Sequence, residues 1–135
     1  MMKIKSRKII LLFLFMSDVA MSYPMKDLYN TLDVTSFNSS LMPGIEPKDR
    51  YEYKTFKDIN QPATTITEDE IIIDSEDWRY SLKVIKAKGS DLYVCFSDKA
   101  KVGSYDAQSP LVIRKYNDIY MATARETAVC EEYAR

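Results

Sequence analysis

Residues 78–97 read WRYSLKVIKAKGSDLYVCFS, and two runs within them alternate strictly. Trp78, Tyr80, Leu82 and Val84 are separated by Arg79, Ser81 and Lys83. Leu92, Val94 and Phe96 are separated by Tyr93 and Cys95. Successive side chains of a strand point to opposite faces, so each run predicts a half-buried strand. Between them, Ala87-Lys88-Gly89 predicts a three-residue hairpin loop with Gly89 in its left-handed position. That loop pairs Val84 with Leu92, Leu82 with Val94 and Tyr80 with Phe96, all on one face. A two-residue loop at Lys88-Gly89 would divide them between faces. Cys95 and Tyr93 point to the opposite face.

A second hairpin is expected downstream. Residues 111–116 and 119–124 are strand-like and flank Asn117-Asp118, two residues suited to a tight turn of the primed type. Pairing across it places Leu111, Ile113, Tyr120, Ala122 and Ala124 on one face, read as the core side. Val112, Arg114, Tyr116, Ile119 and Met121 take the other. Between the hairpins, residues 98–110 read as a long polar connection.

Upstream, Met25, Leu28, Tyr29 and Leu32 fall at helical spacing after Pro24, which suits a first helical turn. They predict a helix over residues 25–33 or somewhat further, stopped by Pro43-Gly44. Tyr51, Tyr53 and Thr55 alternate with charged neighbours and predict a short strand. Asn60-Gln61-Pro62 is a turn. Ile71-Ile72-Ile73 is a strand, although Thr67 and Glu70 also fit a helix capping box. Residues 74–77 turn the chain into the first hairpin. The tail from residue 126 is a short helix or extended. The expected class is α+β, an antiparallel curved sheet of about five or six strands with one N-terminal helix. In element order alone this resembles the cone-shaped roll of the NTF2-like proteins; no motif accompanies the likeness, and no family is assigned.

The N-terminus reads as an export signal. Lys3, Lys5, Arg7 and Lys8 precede the short apolar run 9–16, and Ala20-Met21-Ser22 supplies small residues for cleavage after Ser22. The run is too short to span a membrane, so no stable insertion is expected after cleavage. A buried strand or an uncleaved anchor is the alternative. One domain, residues 23–135, would remain. It loses four basic and one acidic residue, leaving 15 basic and 19 acidic and a net charge of −4. This is not the basic footprint of a nucleic-acid binder. Cys95 and Cys130 are the only cysteines. In an exported chain, bound for the bacterial periplasm or the extracellular space, they are expected to pair. Asn38-Ser39-Ser40 matches a glycosylation acceptor, which matters only in a eukaryotic secreted protein.

The chain has no histidine. Ser-His-Asp and Cys-His catalysis and His-ligated metals are thereby excluded, and no catalytic residue, metal site or cofactor is expected. Glu68, Asp69, Glu70, Asp74, Glu76 and Asp77 crowd one stretch; a calcium site at Asp74, Glu76 and Asp77 is weighed against a solvated turn, which is preferred. The leading functional expectation is an exported protein-binding module, an inhibitor or immunity protein acting by occlusion. Its 98–109 loop, with Lys99, Lys101, Tyr105 and Asp106, would enter a protein partner. The alternatives are a structural or surface-attachment module, or a small-ligand pocket or weak carboxylate enzyme. The pocket reading requires a cavity lined by Trp78, Tyr80 and Phe96 with one acid inside.

Overall fold

The computed structural model describes residues 22–40 and 45–131. The segment expected to direct export, residues 1–22 with Ser22 excepted, lies outside them, as do Pro43-Gly44 and residues 132–135. Seven strands form one sheet: β1 Leu32–Asp33, β2 Thr65–Ile66, β3 Glu70–Asp74, β4 Trp78–Lys88, β5 Asp91–Ala100, β6 Asp106–Tyr116 and β7 Ile119–Ala124. Their order is β1-β7-β6-β5-β4-β3-β2. Every pairing is antiparallel except β1 with β7, which is parallel. The sheet is therefore mixed, with more strands than the five or six expected; β1 and β2 are only two residues long and carry too little pattern to be read.

The central hairpin differs from its expected register. The loop is Gly89-Ser90, because Lys88 pairs with Asp91. Gly89 takes φ +61°, the left-handed first position that glycine fills in a two-residue hairpin turn. Taken alone, that loop would send the apolar runs to opposite faces. A β-bulge at Ile85 prevents this: Lys86 pairs with Tyr93 but Val84 pairs with Val94, then Leu82 with Phe96 and Tyr80 with Asp98. One extra residue restores the parity that burial demands. The shared face survives, and Leu82, Val84, Val94 and Phe96 are all buried.

The second hairpin forms as the sequence implies. Tyr116 pairs with Ile119, and Asn117 and Asp118 take φ +46° and +68°, both left-handed as a primed turn requires. Leu111, Ile113, Tyr120 and Ala122 are buried, whereas Ala124 is exposed at the strand end.

Helix α1, Met25–Thr31, ends before the expected Asp33. Leu32 and Asp33 extend instead and pair with Tyr120 and Met121. Asp33 then accepts the Thr35 N–H at 2.9 Å and caps a 3-10 turn, Val34–Ser36, which stops any helical continuation. Met25, Leu28, Leu32, Val34 and Phe37 all bury against the inward face of the sheet. Phe56 joins them, its ring stacked with that of Tyr29 at 6.2 Å. The strand expected at Tyr51–Thr55 is absent. Asp58 Oδ2 accepts the N–H groups of Lys54 and Thr55, folding the segment into turns, and Tyr51 stands 85% exposed. Thr67 does make its cap-like bond, accepting the Glu70 N–H at 3.1 Å, but in the β2–β3 turn and not at a helix.

The outward face is covered at its centre by the C-terminal segment. Cys95 and Cys130 are joined by a disulfide. It draws the 3-10 turn Ala128–Cys130 across β5 and β6, where Val129 and Val112 are buried. Among the described residues, no helix is long and apolar enough to cross a membrane.

Candidate functional site, a cleft at the open end of the sheet

The inward positions of β5 and β6 change character along the strands. Leu92, Val94 and Phe96 give way to Asp98 and Ala100; Ile113 and Leu111 give way to Ser109 and Ala107. Large apolar groups fill the core at one end, and small or polar ones leave space at the other. The result is a cleft of about 510 Å³. Phe96, Asp98, Ala107 and Ser109 line its base, Trp78 and Tyr105 its aromatic wall, and residues 38–40 its rim.

Asp98 organises this end. It is 3% exposed. Its Oδ1 accepts from the Trp78 indole Nε1–H at 2.5 Å and from Ser40 Oγ at 2.9 Å, and its Oδ2 accepts the Ser40 N–H at 3.0 Å. Ser40 Oγ lies 2.9 Å from the Tyr80 hydroxyl. Since Ser40 gives its one proton to Asp98, Tyr80 must donate to Ser40, making a Tyr80–Ser40–Asp98 relay. Burial pushes the Tyr80 phenol above its ordinary range, and the nearby Asp98 charge adds to that, so Tyr80 keeps its proton. The rings extend the order outward: Tyr80 stacks with Phe96 at 6.1 Å, and Trp78 packs against Tyr105 at 5.5 Å.

The long polar connection expected over residues 98–110 is not a loop. β5 runs to Ala100 and β6 starts at Asp106, leaving residues 101–105 as the link, with Gly103 at φ +96°. The polar residues misled because they alternate across a strand pair whose inner positions are not apolar. The four residues read as one contact surface fall on different sides of this end of the strand pair. Lys99 and Asp106 pair across the strands on the outward side. Lys101 is tied down, its Nζ 2.5 Å from Asp74 and its N–H donating to the Asp77 carbonyl. Tyr105 alone lines the cleft. Among the described residues, no three His, Cys, Asp or Glu side chains come together as a metal-binding group.

Of the residues required for a pocket, Trp78 and Phe96 line the cleft, and Asp98 is its acid. Tyr80 is not among the lining residues; it hydrogen-bonds to Ser40, which is. Ser40, Asp98, Ala107 and Ser109 do not stand out in the sequence as site residues. Their signal is parity: each strand position continues the inward set of its hairpin with a residue too small or too polar to close the core. No family model, curated protein or solved structure matches the chain. The outline likeness to the NTF2-like roll therefore goes no further than element order.

Proposed function

We propose that this protein is an exported, non-catalytic binding module that takes a small organic ligand into the cleft between Trp78, Asp98 and Tyr105. The observation carrying this reading is a buried carboxylate at the base of an aromatic-walled cleft. Apolar concavities holding a few fixed polar groups are the usual form of small-ligand sites, and about 510 Å³ suits a metabolite-sized group. Export rests on the charged and apolar N-terminal pattern, and the Cys95–Cys130 disulfide fits an oxidising compartment. Trp78 is the only tryptophan. A small-molecule screen read by its fluorescence and by thermal unfolding tests the reading directly. Hits that shift both support it; a broad screen that moves neither contradicts it.

The occlusion reading, with the protein as inhibitor or immunity partner, is favoured by one different feature. Val102, at the tip of the β5–β6 link, is 77% exposed. An apolar residue at a hairpin tip suits insertion into another protein's cavity. Capture of one stoichiometric partner, lost in Val102→Asp, would support it. Capture unaffected by that change would remove the tip from the interface.

A further inference from the structure

We propose that the cleft selects ligands carrying an organic ammonium group. The inference rests on the reading of the cleft as a ligand site and names the chemistry it would recognise.

Three observations converge. First, Asp98 brings a negative charge to the base of the cleft, and among the described residues no lysine or arginine is ion-paired with it. Its three hydrogen bonds come from neutral donors, Trp78, the Ser40 hydroxyl and the Ser40 backbone. They fix the carboxylate without cancelling its charge, and they fill three of its roughly four acceptor positions. Secondly, among the described residues no cationic side chain lines the cleft. The nearest candidates in sequence are held elsewhere: Lys101 on Asp74, and Lys99 on the outward side. Thirdly, Trp78 and Tyr105 form an adjoining aromatic wall, with their ring centroids 5.5 Å apart. The negative face of an aromatic ring attracts a cation, tryptophan most strongly, and aromatic walls with a carboxylate form a familiar cage for substituted ammonium. A neutral ligand would gain only the aromatic contact. An anion would be repelled by a charge that the low-dielectric surroundings screen poorly.

The test uses the wild-type protein and matched isosteres at constant ionic strength. Choline, neutral 3,3-dimethylbutan-1-ol and anionic 3,3-dimethylbutyrate are titrated while Trp78 fluorescence is followed. Benzyltrimethylammonium serves as a larger cation. The expected result is saturable binding of at least one cation, about tenfold or more tighter than the neutral isostere, with the anion weakest. Tyr105→Leu should weaken cation binding several-fold while leaving the fold intact, because Tyr105 is half exposed. Asp98→Asn, if circular dichroism confirms folding, should erase the preference for cation over neutral isostere. Equal affinity for choline and its neutral isostere would overturn charge selection while leaving the cleft as a binding site. If neutral screening hits bind and neither cation does, the inference fails in the same way. If nothing in either series or in the screen moves Trp78, the binding-site reading falls with it.

Discussion

At the scale of single residues, Asp98 is the position on which most depends. It gathers Trp78 and both hydrogen-bonding groups of Ser40 onto one carboxylate. Removing a buried acceptor leaves its donors unsatisfied, at roughly 1–3 kcal/mol for each buried group. Asp98→Ala is therefore expected to lower stability by about 2–3 kcal/mol in urea unfolding. The outward neighbour Ser97→Ala should stay within about 0.5 kcal/mol. Equal effects would mean that Asp98 is not the anchor of this end. A second carboxylate gives a pH prediction. Arg114 Nε and Nη2 donate to the two Asp91 oxygens at 2.6 and 2.8 Å. These hydrogen bonds, with the guanidinium charge, hold Asp91 below the usual carboxylate range. A carboxyl depressed in the folded state stabilises above its unfolded-state value, and that contribution is lost as pH falls through the folded-state value. NMR titration should find Asp91 low in the native protein and back in the ordinary range in Arg114→Gln. The stability difference between the two proteins should vanish on acidification. At this scale the sequence announced the cysteine pair, because two cysteines in a chain read as exported have few alternatives. Asp98 was hidden because an acid ending an apolar alternation reads as the start of a loop; only its parity places it inside.

At the scale of elements, the β4–β5 and β6–β7 turns are set by left-handed residues. A Cβ on Gly89 would meet nothing within 4 Å, so Gly89→Ala tests the backbone alone. With φ at +61°, the substitution should lower stability by about 1 kcal/mol. Asp118→Gly should do the reverse, raising it by up to about 1 kcal/mol, since Asn-Gly suits a primed turn better than Asn-Asp. Thermal unfolding of both variants checks the pair, and same-sign shifts would contradict the turn assignments. The second hairpin was readable because Asn117-Asp118 and the flanking alternation specify one register. The first was readable only as far as its faces. Its bulge at Ile85 answers a conflict between a two-residue loop and the burial of Val84 with Val94, which only the folded sheet resolves. The Tyr51–Thr55 alternation misled for a related reason: alternation marks a strand only where a partner edge and a core await it.

At the scale of the whole molecule, one sheet has two differently covered faces. The inward face holds the core and, at its open end, the cleft. The outward face is held by the Cys95–Cys130 bridge and the turn that it carries. Reducing the bridge, or replacing both cysteines with alanine, should lower stability by about 2–4 kcal/mol. Ligand binding in the cleft should survive under conditions where the variant remains folded. Sequence reading reached the α+β class, the antiparallel hairpins and the central position of residues 78–97. It missed the parallel β1–β7 pair, which joins Leu32 to Tyr120 across most of the chain and leaves no local pattern. The open end of the inward face is where this protein is proposed to bind. The single Trp78 indole N–H, bonded to Asp98, reports from inside that site. The decisive measurement is the proton–nitrogen NMR spectrum of the protein titrated with choline. Binding at that end predicts saturable shifts of the Trp78 indole and of the Ser40, Asp98 and Tyr105 amides, with Cys95 and Val112 on the outward face unmoved. A stationary indole with shifts on the outward face, or no shift anywhere, would contradict it.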